Sequence, residues 1–371
     1  MKKLYWRPSG ISRIELVLIA TLSVICLVSI QTFQIVQRQP YFSSKVAAAR
    51  LALTSMQAIK AVRVSRGLVI DPEVDPTASG MIGENVTDIT SNTGHLPAKQ
   101  LSTNPNYAAV LVSMLKRAGV ERGDVVAMGV SGSFPALNAA AYAALQTLEA
   151  KPIVIVSVSG SEWGATDPNY TWLDMESTLH DQGLITFRAV AGSRGGIDDR
   201  GFGISKRGRG LLDAAVKRAA IRKLEPVSLD DSIAQRMNIY YEMAADRPIG
   251  AYINIGGGSA SVGTAVGKRL FNPGLNRSAP RGATDSVMTR FVRDGIPVIH
   301  LSGIAKIAER YGLSADTTKP SPPGEGGVYT RIEYSPWYAL ASIVAIIGLM
   351  FAFLRLDVGA NLLGSARASS K

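Results

Sequence analysis

The stretch DVVAMGVSGSFPALNAAAYAALQ, residues 124–146, reads as a strand, a turn and a helix in that order. Its run 125–130 is apolar and rich in valine, as a buried strand requires, and Gly129, Ser131 and Gly132 then let the backbone turn sharply. Pro135 opens an alanine-rich helix, where its fixed φ and missing N–H do no harm. The same order recurs at PIVIVSVSGSEWGATD (152–167), IGAYINIGGGSASVG (249–263) and IPVIHLSGIAKIAE (296–309). Continuous apolar strands alternating with helices imply an α/β fold with a mostly parallel, doubly wound sheet covered on both faces. The Ser- and Gly-rich turns then gather along one edge of that sheet, which is where ligands bind in such folds.

A chain of 371 residues that is 46% hydrophobic can bury a large core, so disorder is not the expectation. The net charge of +11 invites a polyanionic partner, although basic residues beside membrane segments can instead set topology. The single cysteine, Cys26, excludes an internal disulfide, and three histidines (His95, His180, His300) leave little for a zinc site. No metal and no cofactor are expected.

Residues 16–30, LVLIATLSVICLVSI, carry no charge, and the segment 14–36 is long enough to cross a bilayer as a helix of about 20 residues. Beyond the apolar run come Gln, Thr, Phe and Gln in place of a small-residue cleavage pattern, so an uncleaved anchor is expected over a cleaved signal peptide. Residues 337–354, WYALASIVAIIGLMFAFL, form a second uncharged run, opened by a Trp-Tyr pair suited to the membrane interface. Lys2, Lys3, Arg7 and Arg13 precede the first span, and Arg355, Arg367 and Lys371 follow the second. The positive-inside rule then gives a two-pass protein of the cell membrane with both termini cytoplasmic. Residues from about 38 to 336 lie outside, and their 33 Lys and Arg against 27 Asp and Glu keep that part basic.

The expected division is a cytoplasmic N-terminus (1–13), a transmembrane helix (14–36) and an amphipathic helix with a long loop (37–103). An extracytoplasmic α/β domain (104–317), a Pro/Gly linker (318–336), a second transmembrane helix (337–354) and a cytoplasmic tail (355–371) follow. Within 43–67, Val46, Ala49, Leu53, Met56 and Ile59 recur at helical spacing. Their small size favours packing on the domain over gripping lipid. The segment 71–103 is loaded with turn formers and is either a functional loop or a linker. Asn104-Pro105 starts a helix that Gly119 stops, Thr171 and Asp174 form a capping box, 184–190 reads as a strand, and Ser228 caps another helix. Between 188 and 223 stand ten basic and three acidic residues, read either as a solvated face or as an anion-contacting surface.

The pentapeptide Gly129-Val130-Ser131-Gly132-Ser133 approaches the G-x-S-x-G nucleophile elbow, with Ser in place of the closing Gly. Ser131 or Ser133 would be the nucleophile, and His300, which ends its own strand, the base. The plainer reading is a serine capping a helix, since the sister turns Ser159-Gly160 and Ser302-Gly303 hold the same residues. GGGSASVG (256–263) matches neither phosphate-binding pattern: Ser261 takes the third glycine of one, and Thr264-Ala265 the Lys and Ser/Thr of the other. What remains is a set of helix N-termini along one edge, suited to an anion such as a carboxylate, against the alternative of tight turns that only allow close packing. On the anion reading the ligand-binding residues are Gly132, Ser159 and Gly160 in the first two turns, then Trp163 and Asp167 just beyond. Arg194 and Arg200 join them from the basic stretch, and Gly256, Gly257, Gly258 and Ser259 from the turn at 256–259.

Three longer runs resemble a known family: STNPNYAAVLVSMLKRAGVERGDVVAMGVSGSFPALN (102–138), SGSEWGATDPNYTWLDME (159–176) and YINIGGGSASVG (252–263). They are similar to poly-gamma-glutamate system proteins, membrane components that accompany the machinery making and exporting poly-γ-glutamate. The resemblance spans roughly residues 70–312 and implies a pathway, bringing no catalytic residues with it. It implies an accessory, non-enzymatic protein, anchored in the membrane, that binds poly-γ-glutamate or the synthase complex. The partners implied are that polymer, other membrane proteins of the complex and the membrane itself, and no nucleic acid. The alternative is an extracytoplasmic serine hydrolase or acyl transferase acting on γ-glutamyl bonds.

Overall fold

The computed structural model describes residues 13–256, 258–263 and 265–356. In chain order the elements are α1 (Arg13–Thr32), β1 (Gln34–Arg38), α2 (Phe42–Ser65), β2 (Thr90–Asn92), α3 (Leu96–Ser102), α4 (Tyr107–Ala118), β3 (Val125–Ser131), α5 (Pro135–Thr147), β4 (Lys151–Ser157) and β5 (Gly160–Ser161). There follow α6 (Trp172–Asp181), β6 (Ala191–Ser193), α7 (Lys206–Arg218), β7 (Arg222–Lys223), α8 (Leu229–Ala244), β8 (Ile249–Ile255) and α9 (Ser259–Val262). The chain closes with α10 (Ala265–Leu270), β9 (Gly274–Asn276), α11 (Val287–Arg293), β10 (Val298–Leu301), α12 (Ile304–Tyr311), β11 (Thr330–Tyr334) and α13 (Pro336–Leu356). Gln39–Tyr329 form one compact unit, and the described residues before and after it form another.

In the unit made of the chain ends, α1 and α13 contact each other, β1 pairs antiparallel with β11, and the rings of Phe33 and Tyr338 stack 5.4 Å apart. Both helices are long and apolar enough to cross a membrane, and their apolar windows bury nothing in the protein. The first helix ends at Thr32 and the chain turns into β1, so residues 33–36 leave the span expected over 14–36.

The larger unit is an α/β domain on a seven-stranded sheet of order β7-β6-β4-β3-β8-β10-β9. Every neighbouring pair is parallel except β10 and β9. Side chains of a strand alternate between faces, and both faces of β3 are buried. Val126, Met128 and Val130 join a core with α2, α4, α5, α6 and α7, while Val125 and Ala127 join a second core with α8 and α11. The alanines of α2 (Ala48, Ala49, Ala52) are fully buried against α4 and α5, so this helix belongs to the domain. Serines cap three of the outer helices: Ser205, Ser228 and Ser286 accept from the backbone N–H of Gly208, Asp231 and Thr289.

Two segments differ from expectation, 184–190 and the linker, and 71–103, whose sequence leaves its reading open, is folded. Residues 184–190 are irregular, and the strand beside β4 comes later, at Ala191–Ser193. The reason is that side chains take the backbone donors of this segment: Gln146 Oε1 accepts from Thr186 N, and Glu176 Oε1 from Ala189 N. The segment 71–103 is folded, with Asp75 accepting from the N–H groups of Ser79 and Gly80, and it supplies β2 and α3. The expected linker is docked up to Tyr329: Asn106 Nδ2 donates to Ser321 O, Tyr329 OH bonds Asn106 Oδ1, and Lys45 Nζ donates to Val328 O.

Candidate functional site

From β3 the chain proceeds to β4, β6 and β7 on one side, then returns across the sheet to β8 and β10 on the other. Such a reversal opens a crevice beyond the carboxyl ends of the central strands. A cavity of about 320 Å³ lies there, walled by Ser131, Ser133 and Phe134 after β3, by Ser157, Ser159 and Ser161 around β4 and β5, and by Gly258 and Ser259 after β8. The segment 91–95 and Lys99 close another wall, and Gly196 and Ile197 the last. Among the described residues the lining offers seven serine hydroxyls and that of Thr93, one lysine and one histidine, with no aspartate or glutamate.

The backbone at the mouth is packed so closely that side chains are excluded. A Cβ on Gly132 would stand 2.7 Å from Val158 O, and one on Gly256 would stand 2.2 Å from Ser131 Oγ at a φ of +96°. Gly256→Ala is therefore expected to displace Ser131 and to cost about 1–3 kcal/mol, read as a lower denaturation midpoint.

Lys99 is 3% exposed. Its Nζ donates to Ser133 O and to Ser161 Oγ, the latter at 2.8 Å, and lies 4.4 Å from the centre of the Phe134 ring. It reaches the site because β2 pairs parallel with the two-residue β5, which brings α3 behind the turn. Ser133 Oγ accepts from Ser161 N at 3.1 Å, and Ser131 Oγ from Ser133 N at 3.3 Å. His95 Nδ1 accepts from Ala98 N, so the neutral ring carries its proton on Nε2 and is a donor there.

Beneath the floor lies a fully buried ion pair. Asp199 and Arg236 are each 1% exposed and meet at 2.8 Å. Asp199 Oδ1 also accepts from Ser157 Oγ at 3.1 Å and Ser193 Oγ at 2.6 Å, while Oδ2 accepts from Ser232 Oγ at 2.6 Å. Burial opposes the charge on Arg236, but the neighbouring Asp199 carboxylate outweighs it and holds the guanidinium above its usual pKa.

Of the residues singled out in the sequence, Ser131, Ser133, Ser159, Gly258 and Ser259 meet around the cavity. Gly132, Gly160 and Gly256 shape its turns from behind, where a Cβ would strike neighbouring atoms. Gly257 lies outside the described residues. His300 is fully buried two strands from β3, with Nδ1 3.0 Å from Asn254 Nδ2, and it does not line the cavity. Trp163 lines a separate cavity of about 230 Å³ with Leu68, Val69 and Glu84. Asp167 accepts from Asn169 N in its own turn.

Arg194 and Arg200 line a third cavity, of about 200 Å³. Arg194 is clamped by both oxygens of Asp213, and Arg200 lies over the Phe202 ring. Burial pushes the Asp213 carboxyl up, yet Arg194 and Lys223 outweigh this and hold it below its usual range. Much of the basic stretch is thus spent on ion pairs: Arg218 with Asp174, Arg222 with Glu242, Arg207 with Asp88. Among the polar cavity residues not singled out in the sequence are Lys99, Ser157, Ser161 and His95. Compared with protein-family models, curated proteins and solved structures, the chain matches none.

Proposed function

We propose that this protein is a membrane-anchored accessory component of poly-γ-glutamate biosynthesis or export, binding the polymer or its synthase complex through the α/β domain. The observation that carries this reading is the cavity at the sheet reversal: eight hydroxyls and Lys99, without a carboxylate among the described lining residues. Serine O–H groups and the N–H of Lys99 are donors for a substrate carboxylate, and an acid-free wall spares that anion like-charge repulsion. At about 320 Å³ the cavity is at the small end for ligand pockets and suits a chain end or one pendant group more than a length of polymer. The resemblance of 102–138, 159–176 and 252–263 to poly-gamma-glutamate system proteins supplies the polymer's identity. In this reading the domain is a doubly wound sheet outside the cell membrane, tethered by a transmembrane helix at each end, with both termini cytoplasmic.

Retention of poly-γ-glutamate by the detergent-solubilised full chain tests the proposal. Retention is expected at about 0.01 M salt, where the Debye length is about 30 Å, and is expected to be lost near 1 M, where it is about 3 Å. No retention at low salt would contradict polymer binding.

A further inference from the structure

Lys99 Nζ and Ser161 Oγ are hydrogen-bonded at 2.8 Å, 62 residues apart in sequence, and both line the cavity. They are 3% and 7% exposed, so the contact is sheltered from bulk water. A serine hydroxyl bonded to a buried amine in a cavity wall has the geometry of an activated nucleophile with its base. Neither Ser131 nor Ser133 has a comparable arrangement. Their bonds join the two serines to each other and to backbone atoms of Ile255 and Ser161.

We propose that Ser161 and Lys99 form a nucleophile–base pair that cleaves or transfers an amide whose acyl side bears a carboxylate, such as a γ-glutamyl amide. The substrate class rests on the polymer-binding reading, whereas the nucleophile rests on the geometry alone. The Lys99 amine takes the Ser161 hydroxyl proton as Oγ bonds to the amide carbonyl carbon. The C–N bond then breaks, and the leaving amine takes that proton from the Lys99 ammonium, which leaves an ester on Ser161. Water, or an acceptor amine, adds to the ester carbon and gives a proton to Lys99. The C–Oγ bond breaks and Oγ recovers the proton, releasing a carboxylic acid or a new amide. No oxidant, reductant or metal enters the balance. His95 Nε2–H, at the same cavity, is a donor for the anionic acyl part.

The test treats the full chain in detergent with a fluorophosphonate probe and maps the adduct by mass spectrometry. Labelling at Ser161 is expected, absent in Ser161→Ala and slowed about 100-fold or more in Lys99→Met. Lys99→Arg keeps a donor and a cation but cannot accept a proton, so it is expected to be equally slow, whereas a merely positioning lysine would be rescued by arginine. Thermal unfolding of each variant confirms that the comparison is between folded proteins. A folded wild type that stays unlabelled, an adduct on another serine, or full-rate labelling of Lys99→Arg would overturn the pair. Turnover of γ-glutamyl 4-nitroanilide, lost in Ser161→Ala, is expected as well, and its absence in protein that labels would overturn the substrate class. Polymer retention on the same preparation reads the previous proposal separately, since binding without labelling defeats only the nucleophile.

Discussion

Asp199→Ala is expected to destabilise the domain by about 3–5 kcal/mol, the cost of removing one partner of a buried ion pair. The substitution leaves Arg236 charged at 1% exposure and strips an acceptor from Ser157, Ser193 and Ser232. Asp199 is also the clip of the segment between β6 and α7, holding it to β4, β6 and α8 through those bonds. Gly196 and Ile197 of that segment line the cavity, and so does Ser157. Lost stability should therefore come with weakened polymer retention, even though Asp199 does not line the cavity. The double variant Asp199→Ala, Arg236→Met should recover much of the loss, because removing a buried pair together costs far less than breaking it. Urea denaturation of the three proteins checks this, and an unchanged midpoint in Asp199→Ala would contradict the assigned role.

Glu176→Gln is expected to change how stability depends on pH. Burial pushes the Glu176 carboxyl up to about 7, against the opposing bonds from Tyr142 OH and Ala189 N–H and the charge of Arg188. In the unfolded chain the same group titrates near 4.5. Between those values the folded protein holds a proton that the unfolded chain has released, so this group's contribution falls as pH rises and levels off above the folded pKa. The full difference amounts to about 3 kcal/mol. Gln keeps an acceptor for Tyr142 and Ala189 and carries no charge. The variant should match the wild type near pH 4.5 and exceed it by up to about 3 kcal/mol at pH 8. Denaturation midpoints of both proteins measured across that range decide it: parallel curves would show that Glu176 does not titrate as described.

The parallel sheet was legible because β3, β4, β8 and β10 are runs of buried apolar residues followed by glycine or serine turns, a pattern local to each segment. The turns foretold the edge at which Ser131, Ser133, Ser159, Gly258 and Ser259 meet. Lys99 and Ser161 were not legible as partners, since their contact depends on the short β2–β5 pairing between two stretches that read as loop. Asp199 and Arg236 escaped for a related reason: one stands in a basic, glycine-rich stretch that reads as surface and the other in the helix that Ser228 caps, and only the tertiary fold buries them together. His300 lies inside β10, which ends at Leu301, and strand order sets β8 between it and β3. Residues 184–190 show the limit of local propensity, because Gln146 and Glu176 capture backbone donors that a neighbouring strand would otherwise use.

The most direct test of the central claim is amide hydrogen exchange of the full chain with and without poly-γ-glutamate. Protection is expected in the cavity segments 91–99, 131–134, 157–161, 196–197 and 258–259, and little change is expected in the basic stretches 206–223 and 268–293. Protection confined to those basic stretches, or no protection anywhere under conditions where the polymer is retained, would contradict the account.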